Sequence, residues 1–228
     1  MIRIGVLASG SGTNLAALHQ ACQDGRIDGA IALVLSNVAG APVLERAASA
    51  GLATACLPSR GMADRAAYDA ALVERLQAAG IDLVCLAGYM RLVTPEFLRA
   101  FGPGPSSRGC PRVLNVHPAL LPAFPGLKAQ AQALAAGVRL AGCTVHFVDE
   151  GTDTGPVVAQ AAVPVLDDDT EASLSARILV EEHRLYPQAV AWFAAGRLSL
   201  SGRRVHLDPA PASAPAAPGR VAFPPVEG

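Results

Sequence analysis

Short apolar runs alternate with longer amphipathic stretches along the first half of the chain. The apolar runs predict strands at residues 2–8, 30–36, 54–57 and 82–87. The stretches between them predict helices at residues 15–22, 41–50 and 62–79. This alternation is typical of an α/β protein with a doubly wound, mostly parallel sheet, which binds its ligands at the carboxyl ends of the strands. We therefore expect a sheet and a site of this kind.

The second half of the chain continues the pattern and adds an antiparallel edge. It predicts strands at residues 112–116, 141–148 and 157–165 and helices at residues 94–101, 127–136 and 170–195. The acidic turn between the last two strands favours antiparallel pairing near the C-terminal edge of the sheet. Pro187 predicts a kink or an interruption in the long last helix. We expect a single domain of residues 1–203, because residues 204–228 are rich in Pro and Ala without a period and predict a loose tail.

Composition and charge exclude several kinds of partner. The 228 residues carry a net charge of −1 and no recurring basic cluster, which argues against nucleic acid as a partner. No apolar run reaches the roughly 18 residues of a membrane span, and we expect neither a signal peptide nor a membrane partner. The 5 cysteines are widely spaced without a C-x-x-C pair, so they predict core residues in a reducing cytoplasm. No cluster of His, Cys and Asp has the spacing of a zinc site, and we predict no metal.

A turn rich in Gly and Ser follows the first predicted strand and precedes the first helix. It reads Ser9-Gly10-Ser11-Gly12-Thr13-Asn14. Free N–H groups and the helix dipole favour an anion at such a place, and Thr13 or Asn14 could add a side-chain donor or cap the helix. The third glycine of a dinucleotide fingerprint and a G-K-[ST] sequence are both missing. A monophosphate is the smallest ligand that explains the turn, and a plain tight turn is the alternative.

A second motif ends the strand predicted at residues 112–116. In Leu114-Asn115-Val116-His117-Pro118, the side chains of Asn115 and His117 leave the same face of a strand. Pro118 cannot donate a ladder hydrogen bond, so the strand should end there. An amide and an imidazole side by side in a crevice can polarise a carbonyl group. The alternative is a structural histidine that caps a turn.

Further motifs complete an ordered set from Ile2 to about Leu198. The set comprises Gly10-Ser11-Gly12-Thr13-Asn14-Leu15, Leu86-Ala87-Gly88-Tyr89-Met90-Arg91, Leu114-Asn115-Val116-His117-Pro118, Leu120-Leu121-Pro122, Pro125-Gly126, Thr144-Val145-His146-Phe147-Val148, Asp153-Thr154-Gly155-Pro156 and Glu182-His183-x-x-Tyr186-Pro187. With these motifs the chain resembles the phosphoribosylglycinamide formyltransferases, folate-dependent enzymes of purine synthesis in the formyl-folate transferase superfamily. It departs from the family in a longer connection at residues 102–112, and in Lys128, where members often carry His.

The resemblance implies a reaction and three catalytic residues. The formyl group of the co-substrate 10-formyltetrahydrofolate would pass to the amine of N1-(5-phospho-D-ribosyl)glycinamide. Asn115 would donate to the formyl oxygen, and His117 as imidazolium would stabilise the same developing charge. Asp153 would lie against His117 and favour the charged ring, or move protons through a water. A turn-forming role for Asp153 is the alternative.

The resemblance also implies two halves of the domain and the residues that bind each substrate. Residues 1–100 would form a nucleotide-binding half, and residues 113–203 would form a catalytic and folate-binding half. On the nucleotide side, the residues are Gly12, Thr13 and Asn14 for the phosphate and Glu182 for the ribose hydroxyls or the glycinamide end. On the folate side they are Arg65, Met90, Arg91, Leu92, Val93, Asn115, Asp149, Glu150, Gly151, Thr152 and Asp153. Arg65 would face the folate glutamate, with an ordinary surface arginine as the alternative, and His146 is expected to be a core histidine.

Four other functions compete with this one. A methionyl-tRNA formyltransferase would need a C-terminal nucleic-acid-binding domain, for which residues 207–228 are too short and too neutral. A formyltetrahydrofolate deformylase would carry an N-terminal regulatory domain, which we do not expect because Met1 leads directly into a strand. An NAD-binding protein would place an acidic residue where Asn37 stands. A catalytically silent folate- or nucleotide-binding protein would not need Asn115, His117 and Asp153 together. We expect a monomer or a homodimer.

Overall fold

The computed structural model describes residues 1–58, 62–104, 107–209 and 221–223. The strands are β1 (Ile2–Leu7), β2 (Gly29–Ser36), β3 (Thr54–Cys56), β4 (Leu83–Leu86), β5 (Val113–His117), β6 (Leu140–Phe147), β7 (Val157–Pro164), β8 (Leu198–Ser201), β9 (Arg204–Leu207) and β10 (Val221–Phe223). The helices are α1 (Thr13–Gln23), α2 (Pro42–Ser49), α3 (Arg65–Ala78), α4 (Pro95–Ala100), α5 (Ala129–Ala135) and α6 (Glu171–Ala194). Among these residues, no helix is both long enough and apolar enough to cross a membrane.

Eight of the strands form one sheet in the order β10-β7-β6-β5-β4-β1-β2-β3. From β3 to β5 all neighbours are parallel. The pairs β5–β6, β6–β7 and β7–β10 are antiparallel. The prediction of a doubly wound, mostly parallel sheet with an antiparallel part near its C-terminal edge is confirmed. The strand order reverses between β1 and β4, and a crevice forms at the carboxyl ends of strands at such a point.

The core lies in two layers, one on each face of the sheet. Along β1, Val6 packs into the layer with α1 and α6, whereas Leu7 packs into the layer with α3 and α4. Successive side chains of a strand point to opposite faces, and both layers are apolar, so the parallel strands are mostly apolar on both faces. On α6, the buried Tyr186 hydroxyl lies 3.0 Å from the carbonyl oxygens of both Leu86 and Leu114. This contact holds α6 against the end of β4 and the first part of β5.

Helix α6 departs from one prediction. It runs without interruption from Glu171 to Ala194 with Pro187 inside it, so the predicted interruption is absent. Pro187 is buried, as are its neighbours Leu185, Tyr186 and Ala189. Packing of this buried face against the sheet stabilises the helix enough to offset the one backbone hydrogen bond that proline removes.

The C-terminal segment also differs from the predicted loose tail. Strands β8 and β9 form an antiparallel hairpin, and β10 pairs with β7, so residues 204–207 and 221–223 have regular structure. The rest of the predicted tail, residues 210–220 and 224–228, lies outside the described residues. The hairpin end is tied to the long connection before β5, because Arg108 pairs with Asp208 and donates to the Gly196 carbonyl oxygen at 2.7 Å.

The first residues of two helices differ from the predicted ones, because the residues that cap them differ. Helix α1 begins at Thr13, two residues before the predicted start, and Gly12 is its N-cap without a side-chain cap. The expected cap by Thr13 or Asn14 is therefore wrong. Helix α3 begins only at Arg65, because the Asp64 side chain accepts a hydrogen bond from the Ala67 N–H at 2.8 Å.

Candidate active site

A cavity of about 590 Å³ opens at the carboxyl ends of β1, β4 and β5, where the strand order reverses. The predicted site residues that line it are Asn14, Met90, Arg91, Leu92, Val93, Asn115, His117, Asp149, Glu150, Gly151, Thr152, Asp153 and Glu182. The structure thus brings together residues from both halves of the chain. Gly12, Thr13 and Arg65 do not line the cavity.

His117 is the last residue of β5 and is only 5% exposed. Its Nε2 lies 2.9 Å from the Phe124 carbonyl oxygen, and its Nδ1 lies 3.3 Å from Oδ2 of Asp153. A carbonyl oxygen and a carboxylate can only accept hydrogen bonds. A ring with a proton on each nitrogen, the imidazolium form, suits both neighbours. In that form His117 places a positive charge at the wall of the cavity.

Asp153 comes from the loop between β6 and β7 and has a left-handed backbone, with φ 55°. Its Oδ2 also accepts a hydrogen bond from the Gly126 N–H at 2.8 Å. Burial raises the pKa of the Asp153 carboxyl, but contacts with the His146 ring, the Gly126 N–H and the His117 charge lower it more. The net effect is a pKa below the usual value, so Asp153 is ionised at neutral pH.

His146 is a site residue that the sequence analysis did not identify. It was expected to be a core histidine, and it is 2% exposed, with Nδ1 2.9 Å from the Phe147 carbonyl oxygen. Its Nε2, however, lies 3.1 Å from Nδ2 of Asn115 and 3.6 Å from Oδ1 of Asp153. His146 therefore holds the Asn115 amide in place. The signal for this contact is the antiparallel register, which sets Asn115 opposite His146.

The turn before α1 owes its shape to Gly12. This residue has φ 76°, and a Cβ atom there would lie 2.6 Å from a methyl group of Val43. Val43 in turn donates its N–H to the Gly10 carbonyl oxygen at 3.1 Å. Only glycine fits both the left-handed backbone and the close approach of α2. The turn is thus fixed against α2 with the N-terminus of α1 behind it.

Asn14 of α1 and Glu182 of α6 form a polar pair at one wall of the cavity. Nδ2 of Asn14 donates to Oε2 of Glu182 at 2.7 Å. Burial raises the pKa of the Glu182 carboxyl, and the hydrogen bond from Asn14 lowers it by less. Oδ1 of Asn14 is buried and has no hydrogen-bond partner among the described residues. A wall of acceptor oxygens suits a ligand that brings donors, such as hydroxyl or amine groups.

The other wall comes from the segment after β4 and the loop after β6. Met90 and Leu92 are 65% and 53% exposed and lie at the cavity, so apolar surface is presented to its opening. Facing them, Asp149 accepts hydrogen bonds from the Gly151 N–H at 3.1 Å and the Thr154 hydroxyl at 2.6 Å. A Cβ atom on Gly151 would lie 2.0 Å from that hydroxyl oxygen. Such a slot suits a flat, partly apolar ligand.

Two cationic residues differ in their position relative to the cavity. Arg65 is the exposed first residue of α3, outside the cavity lining, and its role at the folate glutamate stays a prediction. Lys128 lines the cavity in a left-handed conformation with φ 57° just before α5. Within the described residues, no group of three or more His, Cys, Asp or Glu side chains is placed to hold a metal ion.

Comparison with known proteins identifies the family of the chain. Residues 2–190 match the model of the formyl transferase family. A phosphoribosylglycinamide formyltransferase of Escherichia coli K12 is 42% identical over 207 residues, which cover 91% of this chain and 94% of that protein. The chain belongs to the phosphoribosylglycinamide formyltransferase family.

Two further proteins are similar to this chain. The crystal structure of glycinamide ribonucleotide transformylase 1 from Symbiobacterium toebii superposes with a TM-score of 0.87 at 57% identity, covering 92% of this chain and 95% of that one. The trifunctional purine biosynthetic protein adenosine-3 of Drosophila melanogaster is 46% identical over 201 residues, 87% of this chain. The chain spans 14% of the length of that larger relative.

Proposed function

We propose that the chain transfers the formyl group of 10-formyltetrahydrofolate to the amine of N1-(5-phospho-D-ribosyl)glycinamide, and that Asn115, His117 and Asp153 catalyse the transfer. Membership of the family supports formyl transfer in purine biosynthesis. The main support for the catalytic assignment is the position of His117. It lies between the Phe124 carbonyl oxygen and the Asp153 carboxylate, beside Asn115 at the cavity wall.

The first step is attack of the nucleotide amine on the formyl carbon. A carbon–nitrogen bond forms, and negative charge develops on the formyl oxygen. Nδ2 of Asn115 carries two hydrogens; one faces His146 Nε2, and the other is available to that oxygen. The His117 imidazolium acts mainly through its charge, because its Nε2 already faces the Phe124 carbonyl oxygen and its Nδ1 faces the Asp153 carboxylate.

The second step breaks the bond between the formyl carbon and folate N10. The former amine has lost a proton, and N10 must gain one. The Asp153 carboxylate is ionised and lies at the cavity, so it can take the proton from the attacking nitrogen through a water and return it to N10. His117 keeps its own proton in this scheme and holds the carboxylate in place. Atoms and charge balance without any other reactant.

The nucleotide would bind between the turn before α1 and α6. The N-terminus of α1 favours a phosphate, because the first N–H groups of a helix have no partner within it and Gly12 supplies no side-chain cap. The acceptor oxygens of Asn14 and Glu182 would then receive the ribose hydroxyls or the glycinamide end. The folate would occupy the slot between residues 90–93 and 149–152. The monomeric or homodimeric state and a cytoplasmic location stay predictions.

The test is absorbance-monitored turnover of 10-formyltetrahydrofolate with and without the nucleotide. Wild type should react only when both substrates are present, and His117→Ala should lower kcat by ~10²–10³-fold while nucleotide binding is retained. The matched control is His206→Ala, an exposed histidine of β9, which should behave as wild type. A folded wild type without nucleotide-dependent turnover would contradict the assignment. Slow folate hydrolysis in its place would favour the deformylase function.

A further inference from the structure

Ser9 connects the two walls of the cavity. It follows the buried Ala8, the first residue after β1, and its backbone N–H donates to the Gly88 carbonyl oxygen at 3.0 Å. Its side-chain Oγ also accepts a hydrogen bond from the Met90 N–H at 2.9 Å. One residue of the nucleotide-side turn therefore holds two backbone groups at the start of the folate-side segment.

Asn37 sets the orientation of this hydroxyl. It follows β2 at the place where dinucleotide-binding sheets carry an acidic ribose ligand. Here the Ser9 hydroxyl donates to Oδ1 of Asn37 at 2.6 Å. A serine hydroxyl has one hydrogen and two lone pairs. Because the hydroxyl hydrogen is donated to Asn37, a lone pair of Ser9 Oγ accepts the hydrogen bond from the Met90 N–H.

The far end of the same segment is fixed separately. The Thr94 N–H donates to Oδ2 of Asp69 at 2.6 Å, and Asp69 is buried on α3. Between the two anchors, residues 90–93 all line the cavity. The anchor at Thr94 belongs to the α3 layer, whereas the anchor at Met90 belongs to the turn that continues into Gly10 and the start of α1. The Ser9 anchor relates the two binding walls directly to each other.

We propose that Ser9, oriented by Asn37, is a positioning residue that sets the folate-side segment relative to the nucleotide-side turn. This inference rests on the proposed function for the identity of the two ligands. Ser9 does not itself line the cavity, so it acts through the backbone at Met90. Loss of its hydroxyl frees the Met90 N–H and the start of the segment, which weakens folate binding and leaves the nucleotide-side turn in place.

The test measures binding of tetrahydrofolate, the product that leaves, by calorimetry on the full chain. Removal of one hydrogen bond of ordinary net strength corresponds to a change on the order of five-fold in a dissociation constant. Ser9→Ala should therefore raise the Kd for tetrahydrofolate and the KM for its formyl form by that factor. The KM for the nucleotide should change by less than about two-fold. Ser9→Thr keeps a hydroxyl and should restore folate affinity.

The matched control is Ser107→Ala. Ser107 is a buried serine whose Oγ accepts from the Gly104 N–H at 2.9 Å, and it lies outside the cavity lining. This variant should lose stability but keep folate affinity. Unchanged tetrahydrofolate binding by Ser9→Ala, or equal losses of folate and nucleotide affinity, would overturn the proposal. Wild type that binds tetrahydrofolate without transferring the formyl group would refute the proposed function alone, because the Ser9 comparison needs no turnover.

Discussion

Asn14 donates from its side-chain amide to the Glu182 carboxylate at 2.7 Å, across 168 positions of the chain. The bond joins the first turn of α1 to the middle of α6 at the nucleotide-side wall of the cavity. Glu182 precedes Tyr186 by one helical turn, so the two side chains share a face of α6. Tyr186 contacts the carbonyl oxygens of Leu86 at the end of β4 and of Leu114 in β5, and this contact positions Glu182 at the crevice.

Glu182→Gln should make the protein more stable and less active. Burial raises the pKa of the Glu182 carboxyl in the folded state above its usual value of 4.5. The folded state then holds the proton more tightly than the unfolded state, and stability falls as pH rises from the unfolded pKa through the folded pKa. A glutamine does not ionise and still accepts from Asn14. We expect a higher Tm than wild type at pH 8, a gain that disappears near pH 4.

The same variant should raise the KM for the nucleotide on the order of ten-fold or more, because a charged hydrogen-bond acceptor is lost. Thermal melts from pH 4 to pH 8 together with initial rates measure both effects. Glu74→Gln, at an exposed position of α3, is the control and should show no pH-dependent gain. A Glu182→Gln protein that is no more stable than wild type at pH 8 would argue against a buried charge at this position.

Asp153→Asn tests the ionised carboxylate beside His117. The pKa of the Asp153 carboxyl is lowered in the folded state from its usual value of 3.8, so its contribution to stability is fully present above that pH and is lost as pH falls through the folded pKa. The free energy of unfolding of the variant should therefore lie below that of wild type by a constant amount from pH 7 to about pH 4, and the gap should close at lower pH.

At neutral pH the Asp153→Asn variant should also lose on the order of 10²-fold in kcat, because the imidazolium loses its counter-charge and the proton relay loses its base. Urea unfolding and turnover across pH give the two readouts. Asp167→Asn, at a residue that is 87% exposed, is the control for removing a surface carboxylate. Equal activity of Asp153→Asn and wild type would show that Asp153 is a turn residue only.

Gly12→Ala and Gly10→Ala form a matched pair in one turn. A Cβ atom on Gly12 meets Val43 and requires a left-handed residue, whereas a Cβ atom on Gly10 has nothing within 4 Å. The left-handed conformation costs a non-glycine residue about 1–2 kcal/mol, to which the clash adds. Gly12→Ala should lower the Tm and raise the KM for the nucleotide. Gly10→Ala should stay close to wild type in Tm, and similar losses of stability in both variants would contradict the steric argument.

Asp69→Ala should destabilise the protein by about 1–3 kcal/mol, because the Thr94 N–H is left without its buried acceptor. Asp69→Asn keeps an acceptor oxygen of similar size and should cost less. Urea unfolding measures the free energy in each case. If the asparagine variant were as unstable as the alanine variant, the charge of Asp69 and not its hydrogen bond to Thr94 would be responsible.

Local patterns predicted the order of the strands and helices because burial of strands and capping of helices depend on neighbouring residues. The same reasoning placed Asn115 and His117 on one face of β5. Contacts between distant segments needed more information. Asp153 was identified through the family resemblance, and the contact of His146 with Asn115 depends on the register of β5 against β6, which no local pattern specifies.

Where prediction and structure differ, a tertiary contact outweighs a local preference. Pro187 is tolerated inside α6 because that turn is buried against the sheet. The tail prediction relied on a composition rich in Pro and Ala, whereas strand β9 depends on its pairing with β8. Arg65 was placed near the folate by resemblance alone, and this role stays a prediction because Arg65 lies outside the cavity lining.

The pairing of β10 with β7 protects one margin of the large sheet. Val221–Phe223 occupies hydrogen-bonding groups of β7 at residues 160–162 that would otherwise form an open row. An open row of backbone donors and acceptors is a template for strand addition by another molecule. A chain that stops after Asp208 would retain the catalytic cavity but expose this row. Self-association through β7, measured by light scattering of such a truncated protein at increasing concentration, is the expected outcome.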